Sequence, residues 1–231
     1  MCDGNCECKI KVTENGPYIV LGSIPMSDQT IIDDEHGNSI GWEEGISYSE
    51  DETYALCRCG KSSNKPYCDG THKSFDFDGL ETAGTKDYID CADKIEGESL
   101  VLLDNQNLCA VGRFCDVHGN AWVNTKKSDN SECRKIAIEQ ACNCPSGRLV
   151  AWDKETGETI EPEFEPSIGL IEDPCENVSG PIWARGGIPF ESADGDKYEI
   201  RNRVTLCRCG QSKNKPFCDG SHISSGFRSD R

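Results

Sequence analysis

The chain has 231 residues, of which only 35% are hydrophobic and 7% aromatic, so several small domains are expected rather than one large core. Its formal net charge of −17 would be repelled by phosphate backbones and anionic lipid surfaces, which argues against nucleic acid and membrane partners. Of sixteen cysteines, eight fall in tight pairs, at Cys6/Cys8, Cys57/Cys59, Cys142/Cys144 and Cys207/Cys209. One intervening residue suits chelation of a metal better than a disulfide. There is no basic-then-apolar leader at the start and no run of the ~20 apolar residues that a membrane span needs. The expected setting is a reducing cytoplasm.

In chain order, PYIVLG at 17–22 reads as a short strand bounded by Pro and Gly. An insert at 28–45 follows, then a strand YAL leading into LCRCGKSSNKPYCDGTH, Leu56 to His72. SLVLLDN at 99–105 reads as a strand. SECRKIAIEQA at 131–141 reads as a helix capped by Asp129 or Ser131, with Ile136, Ala137 and Ala141 on one face. RLVAWDKETGETIEP at 148–162 reads as a hairpin turning at Glu155-Thr156-Gly157. EPEFEPSIGLIEDP at 161–174, rich in Pro and Glu, reads as an extended linker. PIWARG at 181–186 and EIRNRVTL at 199–206 read as strands, the latter running into LCRCGQSKNKPFCDGSH, Leu206 to His222.

The two 17-residue segments differ only at Lys61/Gln211, Ser63/Lys213, Tyr67/Phe217 and Thr71/Ser221. The repeat reaches upstream, where Gly16-Pro17 precedes IVLGSIPM and Gly180-Pro181 precedes WARGGIPF, one residue intervening in each. Each copy offers four ligands: Cys57, Cys59, Cys68 and His72 in the first, Cys207, Cys209, Cys218 and His222 in the second. That set can hold zinc or an iron–sulfur cluster, and the bare ligands do not decide. Several details favour iron–sulfur. Two thiolates one residue apart can share one iron and the Cys–His pair the other. Pro66 and Pro216 fix the chain before the third cysteine, and Gly70 and Gly220 let backbone approach a bulky core. Asp69 and Asp219 stand where they would cap a helix aiming amide donors at an anion. Between the copies, Cys109 and Cys115 are followed by Cys144-Pro145, with Gly112 midway in the first group.

Both segments fit the pattern Cys-x-Cys-x2-Ser-x3-Pro-x-Cys-Asp-Gly-Ser/Thr-His, with Ser62 and Ser212 in the serine slots, and so resemble the CDGSH (NEET) iron–sulfur family. The resemblance implies a [2Fe–2S] cluster on three cysteines and one histidine in each copy. It also implies a β-rich fold in which two motifs pair about a two-fold axis. Most relatives pair as homodimers; a tandem chain can form the pair internally and remain a monomer. The middle cysteines resemble a bacterial ferredoxin loop, Cys-x2-Cys-x2-Cys with a distant Cys-Pro, in which Gly112 replaces the middle cysteine. They also resemble the divergent single-cluster ferredoxin domains that accompany CDGSH motifs. This implies a [3Fe–4S] cluster on Cys109, Cys115 and Cys144, or a [4Fe–4S] cluster with Cys142, Cys133 or water as fourth ligand. A degenerate domain with buried cysteines is the alternative.

The expected fold is α+β, mainly β: two CDGSH modules about a pseudo-two-fold axis and a small ferredoxin-like α+β domain. The expected boundaries are 1–90, 91–162 and 163–231. The expected function is electron transfer between redox partner proteins, the alternative being a cluster donor or a redox or acid sensor. No nucleophile–base pair, phosphate loop or nucleotide fingerprint points to an enzyme. A neutral histidine ligand raises a cluster's potential, and its protonation competes with iron. Arg58, Lys61 and Lys65, with Arg201, Arg203, Arg208, Lys213 and Lys215, form basic islands on an acidic chain. They read as charge balance for an anionic cluster or as a docking face for an acidic partner. Cys2, Cys6, Cys8, Cys91 and Cys175 receive no role. His36, His118, Glu43-Glu44 and Glu50-Asp51-Glu52 read as solvated groups.

Overall fold

The computed structural model describes residues 8–48 and 51–229. The first copy contributes β1 (Lys9–Val12), β2 (Tyr18–Leu21), β3 (Met26–Asp33), β4 (Ser39–Ser47) and β5 (Thr53–Leu56). The middle region contributes α1 (Tyr88–Cys91), β6 (Asp93–Glu96), β7 (Leu100–Asp104), α2 (Ala121–Lys126), α3 (Ser131–Asn143), β8 (Leu149–Asp153) and β9 (Thr159–Ile160). The second copy contributes β10 (Ser167–Asp173), β11 (Val178–Arg185), β12 (Phe190–Glu191), β13 (Arg203–Leu206) and the single turn α4 (Ser221–Ser224). The architecture is mainly β, in three sheets with few helices. Among the described residues no helix is long and apolar enough to cross a membrane.

The two copies are built through each other. One sheet has the order β12-β1-β2-β5 and another β13-β11-β10-β3-β4, so the second copy lends β12 to the first copy's sheet and the first copy lends its β3–β4 hairpin to the second's. β12 lies parallel to β1, with Ile10 opposite Phe190, and β3 lies parallel to β10, with Ile168 opposite Met26. The joints match: Ile10 N–H donates to the Pro189 carbonyl at 2.9 Å, and Ile168 N–H to the Pro25 carbonyl at 2.8 Å. The repeated Ile-Pro dipeptides, Ile24-Pro25 and Ile188-Pro189, therefore mark the two crossings of a pseudo-two-fold pair. One apolar core results, uniting Tyr18, Val20 and Leu56 with Ile168, Leu170, Ile182 and Leu206.

The third sheet, β6-β7-β8-β9, belongs to the middle region and packs on α2 and α3 around Leu102, Ala121, Ala141 and Leu149. β8 and β9 pair as the expected hairpin. The cap of α3 is neither Asp129 nor Ser131 but Asn130, whose Oδ1 accepts from the amides of Glu132 and Cys133 at 2.9 and 3.1 Å. Its buried face is Ala137, Gln140 and Ala141, with Ile136 half-buried.

The segment 161–174 is not a linker throughout. Its SIGLIED portion is β10, an internal strand of a five-stranded sheet with Ile168, Leu170 and Ile171 buried. A run apolar on both faces is what an internal strand requires, and the flanking Pro and Glu obscured it. Of EIRNRVTL only Arg203–Leu206 is strand. The insert at 28–45 forms most of the β3–β4 hairpin, with His36 exposed at its turn and Glu43 and Glu44 exposed on β4. Glu50 lies outside the described residues.

Candidate metal centres

Each CDGSH segment is a loop held by the same bonds. In the first, Cys57 N–H donates to the Pro66 carbonyl and Cys68 N–H to the Ala55 carbonyl, both at 2.8 Å. The Ser62 hydroxyl donates to the Tyr67 carbonyl at 2.7 Å and accepts from Asn64 N–H at 3.0 Å. In the second, Cys207 and Cys218 donate to the Pro216 and Thr205 carbonyls, and Ser212 repeats the serine bonds at 2.7 and 3.0 Å. The serine slot is thus a brace across the ligand loop.

The loops set their ligands in pairs. Cys57 Sγ lies 3.8 Å from Cys59 Sγ, and Cys68 Sγ lies 3.4 Å from His72 Nδ1. In the second copy these distances are 3.9 Å for Cys207 and Cys209, and 3.5 Å for Cys218 and His222 Nδ1. Among the described residues, no three His, Cys, Asp or Glu side chains converge as the shell of a single metal ion. The hydrogen bond within each pair lowers Cys57 and Cys207 below the ordinary thiol value and, with burial, pushes Cys59 and Cys209 up, so the first cysteine of each pair is the more readily ionised. Arg58 and Arg208, each between two of these cysteines in sequence, are 1% and 2% exposed and carry buried N–H groups without acceptors. Soft donors with buried cationic groups on the same segments fit an anionic iron–sulfur centre.

The aspartates do not cap helices. Asp69 accepts from the Ser63 and Thr71 amides at 2.8 and 2.9 Å, and Asp219 from Lys213 and Ser221 at 2.8 and 3.0 Å. Each ties the two arms of its loop together, and hydrogen bonding to Thr71 and Ser63 holds the Asp69 carboxyl well below the usual range. The N-cap positions belong to Gly70 and Gly220, at φ 85° and 84°, before a single helical turn. Their amides donate to Cys68 Sγ and Cys218 Sγ, both at 3.4 Å.

The loops meet at the pseudo-two-fold axis. A β-carbon placed on Gly60 would lie 2.5 Å from the Cys209 carbonyl oxygen, and one on Gly210 would lie 2.6 Å from that of Cys59. The Tyr18 hydroxyl of the first copy donates to the Cys207 and Pro216 carbonyls of the second at 2.9 and 3.0 Å. That cross-copy support was not apparent in the sequence.

The basic islands divide. Lys61 and Lys213 are exposed. Arg203 is 1% exposed and acts as a strut: Nε donates to Glu161 at 2.7 Å, and Nη1 donates to the carbonyls of Ala141, Cys142 and Cys144 at 2.6, 3.0 and 2.8 Å. Arg58, Arg203 and Arg208 are therefore not docking residues, because burial removes them from any partner.

In the middle region Cys109, Cys115 and Cys144 line one cavity of about 160 Å³. Arg148 is held by Asp104 at 2.6 Å and donates to Cys109 Sγ at 3.2 Å. Trp122 Nε1 holds the other oxygen of Asp104 at 2.9 Å. Neither candidate for a fourth cysteine ligand lines this cavity. Cys142 Sγ faces the Ile160 carbonyl at 3.7 Å, and Cys133 sits in the first turn of α3. A side chain at Gly112 would point at Pro145, 3.2 Å from its Cδ. Side-chain oxygens that do line the cavity are those of Asp116, with Oδ2 3.7 Å from Cys115 Sγ, and Ser146, with Oγ 3.6 Å from Cys144 Sγ. Their adjacency to Cys115 and Cys144 is the signal that could have pointed to them. Of the remaining cysteines, Cys8 Sγ donates to the Gly22 carbonyl at 3.3 Å, and Cys91 and Cys175 are exposed. Cys2 and Cys6 lie outside the described residues.

The family model of the iron-binding zinc finger of CDGSH type matches residues 15–73 and 179–223. The model of a divergent 4Fe-4S mono-cluster matches residues 95–154. No curated protein and no solved structure matches the chain. The chain thus carries two iron-binding CDGSH-type segments with a divergent 4Fe-4S mono-cluster domain set between them, the make-up of an iron–sulfur protein.

Proposed function

We propose that the chain is a one-electron carrier between redox partner proteins of a reducing compartment, and not an enzyme. It holds two [2Fe–2S] clusters, one on Cys57, Cys59, Cys68 and His72 and one on Cys207, Cys209, Cys218 and His222. A third cluster, [3Fe–4S] or [4Fe–4S], is held by Cys109, Cys115 and Cys144. The observation that carries this reading is the paired ligand spacing. Four donors arranged two and two, at 3.8 and 3.4 Å, suit two irons each taking two ligands, whereas a tetrahedral zinc ion would draw all four together.

Such clusters accept and return single electrons. The residues hold them in fixed positions: Ser62 and Ser212 brace the loops, Asp69 and Asp219 tie their arms, and Arg148 places positive charge on Cys109. The reading is tested by electron paramagnetic resonance of anaerobically prepared protein before and after dithionite, with iron, sulfide and zinc counts. Two [2Fe–2S] signals that appear on reduction and vanish reversibly on reoxidation are expected, with iron and sulfide retained. Zinc without sulfide in all loops, after expression with iron supplied, would overturn it. Cluster donation is the second reading, favoured by the half-exposed His72. Incubation with an apo-ferredoxin separates the two: intact cluster transfer supports donation, and full retention through a redox cycle supports electron transfer.

A further inference from the structure

The two ligand loops share their bonds but not their surroundings. Around the first loop, a β-carbon placed on Gly70 would meet nothing within 4 Å, His72 is half-exposed and Cys68 is half-buried. Around the second, the same β-carbon on Gly220 would lie 2.5 Å from Val111 Cγ2 and 3.5 Å from the Cys109 carbonyl oxygen. His222 and Cys218 are each 3% exposed. The covering atoms come from the middle region's own ligand loop, 109–115.

That loop is held in place from three sides. Arg113 donates through Nη2 to Asp33 at 3.0 Å and to Asp173 at 3.1 Å, joining the ends of β3 and β10. Phe114 packs on Trp42, with centroids 4.9 Å apart, and Trp42 packs on Trp183 at 4.7 Å. Asn214, in the second CDGSH loop, donates to the Asn107 carbonyl at 2.9 Å. Val111 and Arg113 take left-handed backbone, at φ 55° and 64°. For a β-branched valine this conformation is strained and persists only where packing enforces it. Here the enforced conformation seats the valine side chain over Gly220.

We propose, building on the cluster-binding reading above, that loop 109–115 is a cover for the C-terminal site. It makes the Cys207/Cys209/Cys218/His222 centre internal and leaves the Cys57/Cys59/Cys68/His72 centre as the one CDGSH site open to chelators and to partner proteins. Two nearly identical sequences thereby take different jobs. The N-terminal site is the exchange port, and the C-terminal site is sealed against the middle centre.

The test uses the full-length loaded chain, challenged anaerobically with the iron chelator bipyridyl and sampled with iodoacetamide. Peptide mapping then reports which cysteines have been uncovered. In the unaltered chain the Cys68 peptide should be alkylated about tenfold faster than the Cys218 peptide, a spread expected between open and packed segments. Val111→Gly removes the covering side chain and suits a left-handed position, so the fold is retained. It should speed Cys218 severalfold and leave Cys68 unchanged. Arg113→Ala, which frees the loop's anchor, should do the same. Equal rates for the two peptides in the unaltered chain would overturn the proposal, as would a folded Val111→Gly chain in which Cys218 stays slow. The visible spectrum and sulfide content are recorded on the same samples. Loops holding zinc without sulfide would refute the electron-carrier reading, while the order of alkylation would still report the cover.

Discussion

The two CDGSH loops form a natural internal experiment. They differ at four positions in seventeen, and their brace bonds agree to within 0.1 Å, yet one histidine is half-exposed and the other is buried. The difference does not come from the loops. It comes from what the rest of the chain places against them: solvent on one side, and the strained loop 109–115 on the other. A ligand motif thus specifies local geometry, while its exposure is set by non-local packing.

The largest way to break the comparison is on the C-terminal side alone. Arg203→Met strips a buried guanidinium from Glu161 and from the carbonyls of Ala141, Cys142 and Cys144. Leaving those groups unpaired should cost about 3–5 kcal/mol. In calorimetry of the loaded chain the middle and C-terminal regions should melt earlier, and iron loss should begin there. Equal loss from the N-terminal loop would mean that the copies do not divide as described.

Next in size is a change that strikes both copies at once. Gly60→Ala drives a β-carbon against the Cys209 carbonyl at a backbone φ of 77°. Overpacking and left-handed strain together should cost about 2–4 kcal/mol. The loaded chain's melting temperature should fall by roughly 4–16 °C, taking about 2–4 °C per kcal/mol. Although the substitution lies in the first loop, Cys209 should become as reactive to iodoacetamide as Cys59.

The smallest lever is pH. Burial pushes His222 down to about 4 from its ordinary 6.5 in the cluster-free fold. Below pH 6.5 the unfolded chain takes up a proton that the folded chain refuses, so stability should fall as pH drops from about 6.5 towards 4. Above 6.5 this group contributes no pH dependence. Urea midpoints of the cluster-free chain between pH 7.5 and 4.5 check the sign, and His222→Gln should flatten the slope. In the loaded chain, burial should also let the C-terminal cluster's visible spectrum persist to lower pH than the N-terminal one.

Much of this was legible in the sequence, for local reasons. Cysteine spacing, Ser62 and Ser212, and the turn at Glu155-Thr156-Gly157 act within a few residues of themselves. The SLVLLDN strand and the α3 helix follow from their own periodicity. What could not be read depends on distant partners. The apolar run in β10 became an internal strand only because β3, more than 130 residues earlier, lies beside it. Arg203 looked like surface charge because, apart from Glu161, its acceptors are carbonyls, which carry no sequence signature. Asp69 sat where a cap should be, yet its carboxylate served a loop arm six residues away. Val111 gave no sign that it would cover a glycine more than a hundred residues later.

The exchange of β3 and β12 has a consequence for how the chain comes into being. During synthesis β1 leaves the ribosome without its edge neighbour from the second copy, since Phe190 is still about 180 residues away from Ile10. The outer edge of β1 therefore waits unpaired until residue 190 has emerged. Gly60 meets Cys209 only after that, so the first site's inner wall is completed by backbone made about 150 residues later. Iron and sulfide would then be delivered once both copies have paired, and a fragment ending before residue 190 would expose a bare sheet edge, a template for aggregation.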